Sequence, residues 1–174
     1  PQIIWRPAVA RLKSEGLEIE AADDGDGAAV EATESNLIYE VDVWGQKTGF
    51  YCDQRDNRNF LAPLCAGKTV LDLYCYSGGF ALSAAKHGAS SCVGVDSSRR
   101  AVELAQRNAE RNKLDSICRF EASDVSAFLN ANTDQYDVVV CDPPKLAPSI
   151  RDLPRAKRKY QKINALALQA VKPG

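Results

Sequence analysis

Four short apolar segments, each followed by a helical pattern, constrain the fold of this 174-residue chain more than any other feature. They are TVLDLYC, SCVGVD, SICRFEA and YDVVVCD, which start at Thr69, Ser91, Ser116 and Tyr136. Apolar runs of this length are typical of buried strands, and the segments between them have the spacing of amphipathic helices. Strands that alternate with helices predict a mostly parallel sheet with right-handed crossovers, covered on both faces in a three-layer α/β arrangement.

The ends of the predicted helices carry capping residues. FALSAAKHG follows the first strand and stops at Gly88, where a left-handed C-cap is favoured. The helix after the second strand starts with Ser97 and Ser98, both suitable N-cap residues. A short helix is expected after Asp124, and Pro154 suits the first turn of the last helix.

The N-terminal part of the chain has a different sequence pattern. Residues 1–52 are predicted to form a small β appendage, and residues 53–174 the main domain. Residues 18–36 contain seven acidic residues and no basic one, which is typical of a loop or a hairpin tip. Alternation of side chains predicts a strand over residues 37–44, and the glycines within residues 45–49 predict a hairpin behind it.

Composition limits the functional classes. Hydrophobic residues make up 45% of the chain and charged residues 26%, as in a folded globular domain, and no apolar run is long enough to cross a membrane. Because the net charge is −1, nucleic-acid binding requires a local basic cluster. The six cysteines lack metal-binding spacing, and the only histidine, His87, lies at a helix end. We therefore expect no metal site, a structural His87, and a reducing intracellular compartment.

Acidic residues and glycines meet at one edge of the predicted sheet. Asp72, Asp96 and Asp124 lie within or at the ends of three successive strands, and Gly78 and Gly79 follow the first strand. The carboxyl ends of parallel strands form the ligand-binding edge, where carboxylates can accept hydrogen bonds from ribose hydroxyls. Glycines there are expected to let a ligand approach the backbone. A nucleoside-containing ligand is therefore predicted.

The choice among nucleosides depends on phosphate motifs. The chain has no Gly-x-Gly-x-x-Gly pattern, and its Gly-Lys-Thr sequence at residues 67–69 precedes the strand instead of following it. S-adenosylmethionine has no phosphate, and its positive charge tolerates Asp72, so it is favoured. A nicotinamide-dependent oxidoreductase stays as an alternative.

Several segments together indicate a family. VLDLYCYSGGFAL, GVDSS, ASDV and VVVCDPPKL resemble the motifs of class I S-adenosylmethionine-dependent methyltransferases. With GFYCDQRDNR before them and RKYQKINALALQAVKPG after them, residues 37–174 are similar to the large-subunit ribosomal RNA 5-methylcytosine methyltransferases that carry an N-terminal PUA domain. The resemblance implies a Rossmann-like sheet, incomplete at its C-terminal end, and an enzyme that methylates RNA.

The resemblance also implies roles for individual residues. Asp72 and the loop of residues 74–80 would hold the methionine part of the cofactor, Asp96 the ribose, and Asp124 with the Val125 backbone the adenine. The expected cofactor-binding residues are Gln54, Arg55, Arg58, Asp72, Tyr74, Tyr76, Ser77, Gly78, Gly79, Phe80, Asp96, Ser97, Asp124 and Val125. Three of these, Gln54, Arg55 and Arg58, are expected on a short helix capped by Asp53. The catalytic target-base pocket is expected to consist of Asp142, Pro143, Pro144 and Lys145.

A basic cluster follows the pocket motif and is the predicted RNA contact, because its cations can neutralise phosphates. It consists of Arg151, Arg155, Lys157, Arg158, Lys159 and Lys162. A merely solvated helix face is the alternative. Two alternatives remain for the function of the whole protein. One is an RNA-binding or scaffold protein without catalysis. The other is a methyltransferase that acts on an exocyclic amine, although Lys145 stands where those enzymes have an aromatic residue.

Methylation of carbon 5 of cytosine needs a cysteine thiolate that first adds to carbon 6. Strand alternation turns Cys141 away from the neighbouring Asp142 and toward a helix, so that Cys141 is a poor candidate. The resemblance implies a nucleophile beyond a Lys-Pro-Gly-Gly turn, whereas this chain ends with residues 172–174, Lys-Pro-Gly. We therefore expect this chain by itself to bind the cofactor without methylating cytosine.

Overall fold

The computed structural model describes residues 29–42 and 49–173. In chain order the strands and α-helices are β1 Ala29–Glu34, β2 Leu37–Asp42, α1 Arg55–Leu61, β3 Thr69–Leu73, α2 Gly79–Lys86, β4 Ser91–Asp96, α3 Arg99–Arg111, β5 Cys118–Ala122, α4 Val125–Ala131, β6 Val138–Cys141 and α5 Leu153–Gln169. Short 3-10 helices occupy Cys52–Gln54, Ala62–Cys65 and Ile150–Asp152. Among the helices described, none combines the length and the apolar character needed to cross a bilayer.

The main sheet has four parallel strands in the order β5-β4-β3-β6. Helices α2 and α3 cover one face, and helices α4 and α5 cover the other. The chain moves from β3 outward through β4 to β5 and then returns to place β6 on the opposite side of β3. The predicted three-layer α/β sheet is confirmed, and its strand order reverses between β3 and β6.

Each face of the sheet has its own apolar core, since neighbouring residues of a strand point to opposite faces. Val70 packs with Leu82 and the hairpin residue Tyr39 on one face. Leu71 packs with Ala167 and other residues of the α4 and α5 layer on the second face. Burial on both faces explains why the strands read as continuous apolar runs.

The hairpin of β1 and β2 corrects one expectation. Residues 29–34 were expected to belong to an acidic loop but form a strand that pairs antiparallel with β2. The turn between the strands consists of Ser35 and Asn36, whose φ angles of 49° and 61° suit a two-residue hairpin. The strand is missed because its only large apolar residue is Val30, which is exposed. Residues 18–28 and the hairpin expected near residues 45–49 lie mainly outside the described residues.

The hairpin packs directly on the main sheet and its helices. The Ile38 amide donates to the side chain of Asn112 at 2.9 Å, and the Glu40 amide donates to the side chain of Asn108 at 2.7 Å. Both asparagines belong to the helix α3 region, and Leu37 is buried in the first core. The described hairpin therefore shares one core with the α/β domain, and the division of the chain at residue 52 stays a prediction.

Most predicted helix caps are present. Ser98 accepts a hydrogen bond from the Ala101 amide, and Gly88, with φ of 88°, follows the end of α2. Asp124 caps α4 through the Ala127 amide at 2.9 Å. The expectation that Asp53 caps the next short helix is wrong, because α1 starts at Arg55 with Gln54 in the N-cap position.

Candidate active site

A cleft of about 620 Å³ opens at the carboxyl edge of the sheet, next to the reversal of strand order between β3 and β6. This edge is the usual ligand site of such sheets. The predicted cofactor residues that line the cleft are Gln54, Arg58, Asp72, Tyr74, Tyr76, Ser77, Gly79, Phe80, Asp96, Ser97 and Asp124. Arg55, Gly78 and Val125 do not line it, whereas all four predicted pocket residues, Asp142, Pro143, Pro144 and Lys145, do. One cleft thus joins the two predicted half-sites.

Asp72 lies at the floor of the cleft and is 1% exposed. One carboxylate oxygen accepts a hydrogen bond from the Ala81 amide at 3.0 Å and so fixes the first turn of α2. Burial raises the pKa of Asp72 to about 7, and the negative charges of Asp96 and Asp142 add to the rise. The carboxyl group can therefore gain or lose a proton near neutral pH.

Asp96 connects the two loops that border the cleft. Its carboxylate accepts hydrogen bonds from the Tyr76 amide at 3.0 Å and from the Ser98 amide at 2.8 Å. A carboxylate has about four acceptor positions, so that Asp96 can still receive hydroxyl donors. Tyr74 and Tyr76 both have positive φ, 63° and 47°, in the loop that Asp96 holds. Strained residues of this kind are common in ligand-binding loops.

The two adjacent glycines both have close protein neighbours. A Cβ atom on Gly78, where φ is 81°, would lie 2.9 Å from the ring of Phe120. A Cβ atom on Gly79 would lie 3.3 Å from the side chain of Arg58. No local sequence signal points to Phe120, which lies on β5. Gly79 also lines the cleft, and the expectation that a ligand approaches the backbone of this pair stays a prediction.

Arg58 is 3% exposed and is paired inside the protein. Its guanidinium donates to both carboxylate oxygens of Glu34 at 2.7 and 2.8 Å and to the Tyr51 carbonyl at 3.1 Å. It also lies over the ring of Phe50, 5.0 Å from the centroid. Glu34 therefore neutralises Arg58, and the sequence does not reveal this because the partners are 24 residues apart. Arg55 is exposed beside Asp56, and the cofactor roles of Arg55 and Arg58 stay predictions.

Two cysteines lie near the chemistry. Cys141 packs against the second core with its sulfur 3.8 Å from the Asn164 side chain on α5, as strand alternation predicts. Cys75 lines the cleft. It lies within the predicted loop of residues 74–80 but was not named among the expected cofactor-binding residues. Burial, with Asp72 and Asp96 nearby, raises the pKa of the Cys75 thiol well above its ordinary value. A thiol held protonated is a weak nucleophile.

The basic cluster lies on α5 and the 3-10 helix before it. All six of its side chains are exposed, and Lys159 also lines the cleft. RNA contact by this cluster stays a prediction. Within the described ranges, no group of three or more His, Cys, Asp or Glu side chains is placed to hold a metal ion.

Comparison with known proteins identifies the family. Residues 64–171 match the model described as a methyltransferase domain. The chain belongs to this methyltransferase family. Ribosomal RNA large subunit methyltransferase I of Aeromonas hydrophila is 48% identical over 134 residues, covering 75% of this chain and 34% of the relative. The protein of the same name from Pseudoalteromonas atlantica is 41% identical over 180 residues, covering 99% and 45%. The chain thus spans less than half the length of these curated relatives.

Solved structures agree with this family. SMU.776, a protein assigned to the methyltransferases and solved in complex with SAH, aligns with a TM-score of 0.64 at 28% identity over 83% of this chain and 41% of its own. A SAM-dependent methyltransferase from Agrobacterium tumefaciens aligns with a TM-score of 0.70 at 20% identity, covering 88% and 52%, and supports the fold alone. The predicted methyltransferase fold is confirmed, and S-adenosylmethionine is the family's cofactor, so the nicotinamide alternative is not supported.

Proposed function

We propose that this chain forms the cofactor and target-base site of an enzyme that methylates large-subunit ribosomal RNA. The observation that carries the proposal is the single cleft that joins Asp72, Asp96 and Asp124 to the loop of residues 142–146 and, through Lys159, to the basic cluster. The names of the similar bacterial proteins support ribosomal RNA as the substrate class. An intracellular location and a PUA domain elsewhere in the protein stay predictions.

The cleft suits S-adenosylmethionine chemically. Asp96 and Asp124 offer acceptors to ribose hydroxyls and to an adenine amine, and the ionised form of Asp72 attracts a cationic ligand. When bound, the cofactor supplies an electrophilic methyl group. Because a nearby cation favours the ionised carboxylate, cofactor binding should release a proton from Asp72 near neutral pH.

We further propose carbon 5 of cytosine as the acceptor, on the basis of the resemblance to the 5-methylcytosine enzymes. In that reaction a thiolate bonds to carbon 6, carbon 5 takes the methyl group, a base removes the proton from carbon 5, and the thiolate leaves. Cys75 lines the cleft, Cys141 precedes the predicted pocket, and burial raises the pKa of both thiols. Cys52 is exposed beside Tyr51, which lines the cleft. None of these three is the nucleophile that the resemblance implies, so we propose that the nucleophile belongs to a part of the encoded protein outside these 174 residues.

Cofactor binding is tested by calorimetry with S-adenosylhomocysteine and with NADH. The wild-type chain should bind only the first. Asp96→Ala should weaken that binding by about 1.5–3 kcal/mol, roughly ten- to a hundredfold, because charge-assisted hydrogen bonds are removed. Asp115→Ala is the matched control, since Asp115 is exposed and does not line the cleft. Equal affinity in the wild type and Asp96→Ala would remove Asp96 from the site.

Methyl transfer is tested with unmodified large-subunit ribosomal RNA and methyl-labelled cofactor. We expect 5-methylcytosine with the full encoded protein and none with the 174-residue chain. Incorporation of labelled methyl groups into the RNA without 5-methylcytosine would show that a different atom accepts the methyl group. Formation of 5-methylcytosine by the chain alone would contradict the missing nucleophile, and Cys52→Ser, Cys75→Ser and Cys141→Ser would then show which thiol acts.

A further inference from the structure

The hydroxyl of Tyr160 forms two hydrogen bonds with the loop of residues 142–146, which carries the predicted target-base pocket. It donates a hydrogen bond to the Pro144 carbonyl at 3.0 Å and accepts one from the Leu146 amide at 3.1 Å. These two backbone groups lie on either side of Lys145. The Tyr160 side chain therefore bridges the two residues that flank Lys145 at the centre of the loop. A tyrosine hydroxyl can donate and accept at once, which is what the two opposite backbone groups require.

The loop has few other attachments. Residues 143–148 contain three prolines, lack regular secondary structure, and make no other hydrogen bond to the described part of the chain. The proline rings restrict the shape of the loop, but they do not fix its distance from the rest of the protein. The described hydrogen bonds that bear on this distance are those of Tyr160.

Tyr160 itself stands on a fixed support. Helix α5 is 17 residues long, and its residues Ile163 and Ala167 are buried, with Ala167 in the second core. The tyrosine ring is half-buried and has only two side-chain torsions, so its hydroxyl has a defined position relative to the helix. The neighbouring Lys159 lines the cleft, and Arg158 is exposed.

We infer that Tyr160 is a positioning residue, which holds the loop of residues 142–146 at the distance from the cofactor half of the cleft that methyl transfer requires. The inference rests on the proposed function for its substrate. Because the same helix carries the basic cluster, RNA bound along α5 and the base inserted at the loop are held in one register. A displacement of about 1 Å in such a site can slow a reaction by about a hundredfold.

Tyr160→Phe tests the inference, since it removes only the hydroxyl. Amide hydrogen exchange of this chain reports the loop directly, because between Pro144 and Pro148 only residues 145–147 have an amide proton. The Leu146 amide should exchange about fivefold faster in the variant. The amides of Lys145 and Ala147, which have no partner among the described residues, serve as internal references and should not change.

Kinetics of the full encoded protein separate positioning from folding. In Tyr160→Phe we expect kcat for RNA methylation to fall about tenfold, while KM for RNA, cofactor affinity and Tm change little. Tyr39→Phe is the matched control, because the Tyr39 hydroxyl is buried and has no hydrogen-bond partner in the described structure. That variant should keep both the exchange rate of Leu146 and kcat.

The possible results distinguish failure of the inference from failure of the proposed function. Unchanged Leu146 exchange in Tyr160→Phe, or unchanged kcat in an active enzyme, overturns the inference and leaves the proposed function standing. A wild-type protein that methylates no ribosomal RNA overturns the proposed function and with it the catalytic part of the inference. Faster exchange together with lower kcat and unchanged KM supports it.

Discussion

The buried carboxyl group of Asp72 should make the stability of the cofactor-free chain fall as the pH rises. In the folded protein its pKa is raised from 3.8 to about 7, chiefly by burial. A raised pKa means that the folded state binds the proton more tightly than the unfolded state does, so the stabilisation is full at acid pH and is lost as the pH rises through 7. Asp72→Asn removes the titrating group and keeps an oxygen for the Ala81 amide.

The magnitude follows from the two pKa values. The rise corresponds to about 4 kcal/mol between the ends of the titration, and between about pH 4 and 7 the slope is about 1.4 kcal/mol per pH unit. From pH 5 to pH 8, the unfolding free energy of Asp72→Asn should therefore gain about 3 kcal/mol relative to that of the wild type. A constant penalty for the new amide hydrogens does not affect this change, since it is the same at both pH values.

Urea denaturation followed by circular dichroism at several pH values between 5 and 8 measures the difference. Saturating S-adenosylhomocysteine should flatten the wild-type pH dependence, because its cationic amine favours the ionised Asp72. Asp72→Asn should also bind this ligand more weakly. Parallel stability curves for the two proteins without ligand would show that Asp72 does not titrate near neutrality, and the electrostatic reasoning would be refuted.

Three other predictions concern charged groups. The Thr69 amide and the Lys172 ammonium lower the pKa of Asp137, so Asp137→Asn should be less stable than the wild type at pH 7. The difference should shrink only as the pH falls below about 4, which is measured by extending the urea denaturation series to more acid pH. Glu34→Ala should lower the unfolding free energy measured by urea denaturation by about 3–5 kcal/mol, because it leaves the buried Arg58 without its carboxylate partner. An equal loss in the double variant Glu34→Leu/Arg58→Met would contradict this. Replacing Arg155, Arg158 and Lys162 by alanine should reduce the slope of log K for RNA binding against log salt concentration by about 0.7–0.9 for each phosphate that the protein no longer neutralises. Cofactor affinity should not change. An unaltered slope would show that this face of α5 is only exposed to solvent and does not contact RNA.

Local signals in the sequence located most of the elements that carry the site. The four apolar runs became β3 to β6, and Ser98, Gly88 and Asp124 are at helix ends as expected. The motif resemblance also identified the residues at the strand ends that line the cleft. These successes share a cause, since strand periodicity and capping depend on residues within a few positions of each other.

The failures have the opposite cause. Residues 29–34 become a strand only through pairing with β2, and the side-chain pattern of the segment itself is weak. The close neighbours of Gly78 and Gly79 are Phe120 and Arg58, which come from distant parts of the chain. Neither of these neighbours leaves a local sequence signature.

The sequence by itself determined the class of fold, the edge of the sheet at which the cleft opens, and the chemical types of residue at that edge, because these follow from local periodicity and the geometry of parallel strands. Only the tertiary structure decided how those residues act. It buries Asp72 so that its pKa is about 7, pairs Arg58 with Glu34, and places the Tyr160 hydroxyl between Pro144 and Leu146. Burial and hydrogen-bond partners arise from contacts across the fold, and the charge or mobility of a side chain depends on those contacts.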